Sequence, residues 1–176
     1  MATAQTLLTI AALVLLSMSL LNFNGTVAQS GNSIESAQDG ILETTIATSF
    51  LELAQGLAFD EVTDSSDVAI TNVNVLTSPT QLGPDSSVEN SVYTFDDFDD
   101  FNGLALDKEV SGNGRRYRAQ FSVNYIDGND ASQVSSTRTY VKRMDLKIWR
   151  ILPPLRSSSV SDTLKMSLAM GYFHFD

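Results

Sequence analysis

Cysteine is absent, and histidine occurs once, at His174. Neither a disulfide framework nor a thiolate metal site is therefore available, and haem has no cysteine to attach to. A lone histidine between Phe173 and Phe175 gives general-base chemistry no foothold. Glycine-rich phosphate loops and nucleophile elbows are also missing, so the expectation is no enzyme, no cofactor and no resident metal. Lysine and arginine are lacking from the first 107 residues, although the chain has 11 of them, and the net charge is −10. That balance is the wrong sign for binding nucleic acid. No internal repeat is visible, and 176 residues leave room for one small globular domain beside an N-terminal spine.

What the N-terminus has is an uncharged apolar run, Leu7 to Phe23. As a helix it is about 26 Å long, against roughly 30 Å for a bilayer's hydrocarbon core. A cleaved secretory signal is one reading, and the small residues at Val27-Ala28 fit a cleavage site. Against it, the segment Met1 to Thr6 has no basic residue, which a signal requires. An anchor would also want flanking basic residues. A short basic leader encoded upstream of Met1 and already removed accounts for both absences.

From Ser33 to Ala58 the pattern is amphipathic. Ile34, Ala37, Ile41, Ile46, Phe50, Leu53 and Leu57 form a stripe, with Glu35, Asp39, Glu43 and Glu52 largely off it. Asn32 with Glu35 reads as a capping box, and Gly56 weakens the far end. Between the halves, Asn22, Asn24, Gly25 and Gly31 lower helix propensity and predict a kinked or unwound break. The chain is thus read as a spine at 1–58 (apolar 1–23, break 24–32, amphipathic 33–58) and a β-rich head at 59–176. The sequon Asn24-Gly25-Thr26 falls beside the apolar segment and is read as chance.

In the head, Val68 to Leu76 alternates as a strand with Val92 to Phe95 as partner, and Thr77 to Asn90 is loop. Phe95, Phe98 and Phe101 predict a short helical turn with one inward face. Asp96, Asp97, Asp99 and Asp100 around it lack calcium-loop spacing, and are read as capping backbone amides and pairing with Arg115, Arg116 or Arg118. Tyr117 to Tyr125 alternates cleanly, Asp127 to Asp130 turns, Thr139 to Leu152 is the next strand, and Pro153-Pro154 ends it. After an Arg156 to Ser161 loop, Thr163 to Phe175 completes an antiparallel sheet whose apolar face accepts the amphipathic helix.

An apolar helix continuing into an amphipathic one ahead of a β-rich head resembles the type IV pilin family. Phe95-Asp96-Asp97-Phe98-Asp99-Asp100-Phe101-Asn102-Gly103 is similar to the acidic-aromatic turn of minor pilins of the mannose-sensitive-haemagglutinin type. Tyr117 to Tyr125 and Tyr140-Val141-Lys142-Arg143 resemble their two consecutive strands. The resemblance implies an α+β ladle and a structural subunit of an extracellular filament, with a precursor anchored in the inner membrane. Its implied partners are further copies of itself, the bilayer, a prepilin peptidase and the pilus assembly machinery. It also implies a polymerisation core of Met1, Gln5, Leu7, Leu8, Ala11, Ala12, Leu15, Leu16 and Leu20. One departure is Gln5, where the family has glutamate. The alternative expectation is a monomeric anchored ectodomain or low-copy pseudopilin.

Fifteen of the 21 acidic residues precede Lys108. Either this is a solvated acidic surface, or Asp96, Asp97, Asp99 and Asp100 of one subunit meet Arg115, Arg116 and Arg118 of the next.

Overall fold

The computed structural model describes residues 2–64, 69–112, 114–153 and 163–173. Met1, Pro154, the 156–161 loop, His174 and Phe175 lie outside these. Two units are distinguished, residues 1–41 and 42–176, and each is described by itself.

Helix α1 runs Ala2–Gln55 without interruption. The expected break at 24–32 is therefore corrected: Asn22, Asn24, Gly25 and Gly31 are all helical. Glycine costs a helix about 1 kcal/mol against alanine, whereas proline removes a rung of the ladder, and no proline occurs before Pro79. Thr26 Oγ1 donates to Asn22 O at 3.0 Å, and Ser33 Oγ to Gln29 O at 3.0 Å, so side chains that compete for the backbone bond into the same helix. Asn32, expected as a cap, is accordingly mid-helix.

In the second unit, α1 from Leu42 packs on a four-stranded antiparallel sheet, giving an α+β fold. The strands are β1 (Ala105–Val110), β2 (Arg115–Tyr125), β3 (Val141–Leu152) and β4 (Leu164–Gly171), hydrogen-bonded in chain order. The last three are the strands that alternation predicts; β1, whose residues are mostly exposed and show no alternation, has no such signal. Tyr117, Ala119, Phe121 and Val123 of β2 and Met144, Leu146 and Ile148 of β3 are buried against Ile46, Ala47, Phe50, Leu51 and Ala54 of α1. Phe50 meets Phe121 edge-on with ring centroids 5.3 Å apart.

The helical stripe differs from the one expected. Ile34 and Ile41 are 58% and 67% exposed, while Asp39 and Glu43 are buried. Helix α1 ends at Gln55 as Gly56 implied, and the Gly56 amide closes on Leu53 O at 3.1 Å. The expected strand over 68–76 is also corrected. Its described part holds only a 3-10 turn, Val73–Val75, and Val92 to Phe95 is a turn rather than its partner. Leu76 there is a buried anchor, packing with Phe59 and Tyr125.

Candidate functional site

The site is built around the 95–103 segment. Phe95, Phe98 and Phe101 are buried, and Asp99–Phe101 form the expected helical turn. Asp97 Oδ1 accepts from the Asp99 and Asp100 amides at 2.8 and 3.2 Å. Asp100 Oδ2 accepts from the Asp96 and Asp97 amides at 3.2 and 3.4 Å. Two of the four aspartates, Asp97 and Asp100, thus cap backbone amides of the turn. Asn102 then ties the turn to its surroundings: its Nδ2 donates to Leu82 O and its Oδ1 accepts from the Val123 amide, both at 2.9 Å. Gly103, at φ 78°, takes a conformation that disfavours a side chain and turns the chain toward β1.

Two of the expected arginine partners, Arg116 and Arg118, are paired elsewhere. Arg118 binds Asp107 with both ends of its fork, at 2.7 and 3.0 Å, and Arg116 reaches Glu109 at 3.3 Å, both between β1 and β2. Arg115, half-buried, begins β2 opposite Val110. Of the four aspartates, only Asp96 is exposed; Asp97, Asp99 and Asp100 are buried within the head.

Lys142 is the cation beside them, and its side chain is wholly buried. Its Nζ donates to Phe59 O at 2.7 Å, to Asp60 Oδ2 at 2.8 Å and to Asp99 Oδ1. The Phe59 and Tyr125 rings flank it, with centroids 4.7 and 5.4 Å from Nζ. Asp60 is held in turn by the Thr77 amide at 3.0 and 3.2 Å and by the Thr77 hydroxyl at 3.1 Å. The Tyr125 hydroxyl lies 3.2 Å from Asp60 Oδ2 and donates to Thr77 O at 2.9 Å. Five segments thus converge: Phe59 and Asp60 just after α1, Thr77, Asp99 of the acidic-aromatic turn, Tyr125 at the end of β2, and Lys142 of β3.

Burial sets the protonation of this cluster. It pushes Asp97 up to about 8, reinforced by Asp99 and opposed by Lys142. Asp100 is raised to about 6, also by burial, with the Asp97 and Asp96 amides opposing. Asp99 is raised by burial against the pull of Lys142 and the Gly83 amide. The Tyr125 phenol is raised by burial and by Asp60, so it stays protonated.

Beside the cluster opens a cavity of about 280 Å³, lined among others by Glu61, Asp85, Asp97, Asp99, Asp100 and Arg138. Among the described residues, no group of three or more His, Cys, Asp or Glu side chains is placed to hold a metal ion.

Lys142 and Asp60 were not singled out from the sequence, although a signal existed. Met144, Leu146 and Ile148 face inward from β3, and two residues before Met144, on the same phase, stands Lys142, a charge where the period demands burial.

In the first unit, Leu7, Leu8, Leu15, Leu16 and Leu20 are exposed at 71%, 73%, 68%, 58% and 55%. Gln5, Ala11 and Ala12 are exposed as well. The helix is long and apolar enough to cross a membrane. Thr9 Oγ1 donates back to Thr6 O and Ser17 Oγ to Leu13 O, each at 2.8 Å, so these two polar side chains of the apolar run are satisfied by their own helix. No family model, curated protein or solved structure matches the chain.

Proposed function

We propose that this chain is a structural subunit of an extracellular type IV pilus-like filament, held in the inner membrane by residues 7–23 before assembly and polymerising through them afterwards. The observation that carries this reading is the exposure of large apolar side chains along the N-terminal helix, from Leu7 at 71% to Phe23 at 66%. A helix apolar on every face is unstable in water, so it requires either lipid or neighbouring helices. Polymerisation supplies the second of these. In this reading Met1, Gln5, Leu7, Leu8, Ala11, Ala12, Leu15, Leu16 and Leu20 pack in the filament core, with the alanines allowing close approach. A prepilin peptidase and separate assembly proteins act before and during polymerisation.

One residue favours a second reading. Gln5 carries no charge to pair with the N-terminal amine of a neighbour, which suits a lone membrane-anchored ectodomain or low-copy pseudopilin. Mass spectrometry of sheared, purified surface filaments distinguishes the two. The filament reading expects this chain as a principal component; recovery from membrane fractions alone supports the anchored ectodomain.

A further inference from the structure

We propose that Lys142 and Asp99 condense within the folded head to form an isopeptide bond between Nζ and Cγ, releasing one water, with Asp60 relaying the proton. Lys142 and Asp60 are fully removed from solvent, and the Asp99 side chain is 3% exposed. Lys142 Nζ touches Asp99 Oδ1, which places the carboxyl carbon one bond beyond the contact. Asp60 Oδ2 lies 2.8 Å from the same nitrogen. Phe59 and Tyr125 wall the amine with aromatic surface.

The two carboxyl groups differ in how they are held. Asp60 is engaged by the Thr77 amide, the Thr77 hydroxyl and the Tyr125 hydroxyl, which hold it in place beside the amine. Asp99 has the amine against one oxygen and the Gly83 amide as a polarising donor. It is the group placed for attack.

The step balances without a co-reactant. A proton moves from the ammonium to the Asp99 carboxylate, giving a neutral amine and a neutral acid. The Nζ lone pair forms the N–C bond at Cγ. Asp60 takes a proton from the nitrogen and passes it to the departing hydroxyl, which leaves as water when its bond to Cγ breaks. The product amide keeps one N–H, positioned for Asp60 Oδ2, and Asp60 ends as it began. In water the ionised reactants are favoured by solvation; burial of both side chains removes much of that solvation and so lessens the advantage of the ion pair over the neutral amide, while the cavity beside Asp99 gives the released water a way out. Fixed contact also removes the entropy of bringing the groups together, for which effective molarities reach on the order of 10⁵–10⁸ M. Raised proton affinity at Asp99 favours the neutral acid that the attack requires.

Intact-mass spectrometry of the full chain purified in detergent tests this. The expected mass is that of the sequence less one water, and digestion should yield a branched peptide joining the segments that contain Asp99 and Lys142. Asp99→Ala and Lys142→Arg should each show the unmodified sequence mass. Asp60→Asn keeps both reacting groups and should also lose the bond or form it far more slowly, with near-ultraviolet circular dichroism confirming that the head remains folded. A wild-type mass equal to the sequence overturns the proposal. So does loss of water without the branched peptide, because a succinimide elsewhere gives the same mass.

Discussion

Lys142 Nζ and Asp60 Oδ2 stand 2.8 Å apart with neither side chain exposed at all. A buried pair of this kind is weak support for stability in itself, because desolvation offsets the attraction, but deleting one member is costly. Lys142→Met should therefore destabilise the head, because it removes both the group that faces Asp60 and the group proposed to join Asp99; breaking the ionic contacts alone costs about 3–5 kcal/mol. Adding Asp60→Asn and Asp99→Asn to Lys142→Met should recover the ionic part of the loss, and what remains measures the Lys142–Asp99 bond. Urea unfolding followed by the fluorescence of Trp149, the one tryptophan, reads both. Equal stability of wild type and Lys142→Met would show that the cluster does not organise the head.

The same burial gives a pH dependence with a defined sign. Asp97 is raised from 3.8 to about 8, and Asp100 to about 6, so the folded head holds these protons more tightly than the unfolded chain. Their contribution is fully present below the ordinary aspartate value and is lost as pH rises through the folded values. The decline should therefore run between about pH 4 and pH 8, with Asp100 responsible for its lower part and Asp97 for its upper part. Asp97→Asn keeps an oxygen for the Asp99 and Asp100 amides and should flatten the upper part of the curve. A head that grows more stable between pH 5 and pH 8 contradicts this assignment.

Legibility in the sequence followed periodicity. β2, with Tyr117, Ala119, Phe121, Val123 and Tyr125 on one phase, was plain because every inward position is apolar. The aromatic turn was plain for the same reason, from Phe95, Phe98 and Phe101. The charged interior was not, because pattern reading assigns Glu43, Asp60 and Lys142 to solvent unless their partners are known, and those partners are distant in sequence. Lys142 and Asp60 are 82 residues apart. The pairing of Arg118 with Asp107 needed β1, a strand with no alternation to reveal it.

Continuity of α1 through Gly25 and Gly31 makes a prediction opposite to that of a hinge. A Cβ built at either glycine meets nothing within 4 Å. Gly25→Ala with Gly31→Ala should thus strengthen the helix by roughly 0.5–1 kcal/mol per site, read as increased helicity of the full chain in detergent. Filament yield should be unchanged. Loss of filaments with helicity raised would mean that assembly requires bending at these glycines.

The N-terminal helix gives the most direct test of polymerisation. Leu15 is 68% exposed in the middle of the apolar run, and Val88, in a head loop, is equally exposed at 68%. Exposure is matched, so the two sites differ in what is expected to cover them. A charge introduced where lipid or packed helices must sit costs about 2.5–3.5 kcal/mol on the lenient insertion scale, while a charge in a solvated loop costs almost nothing. That penalty recurs at every subunit of a polymer, so even a modest value per copy should suppress growth. Leu15→Lys should therefore abolish filaments while leaving the urea midpoint of the head unchanged, and Val88→Lys should alter neither. Filaments of normal number and length from Leu15→Lys would exclude residues 7–23 from the core and leave the helix as a membrane anchor.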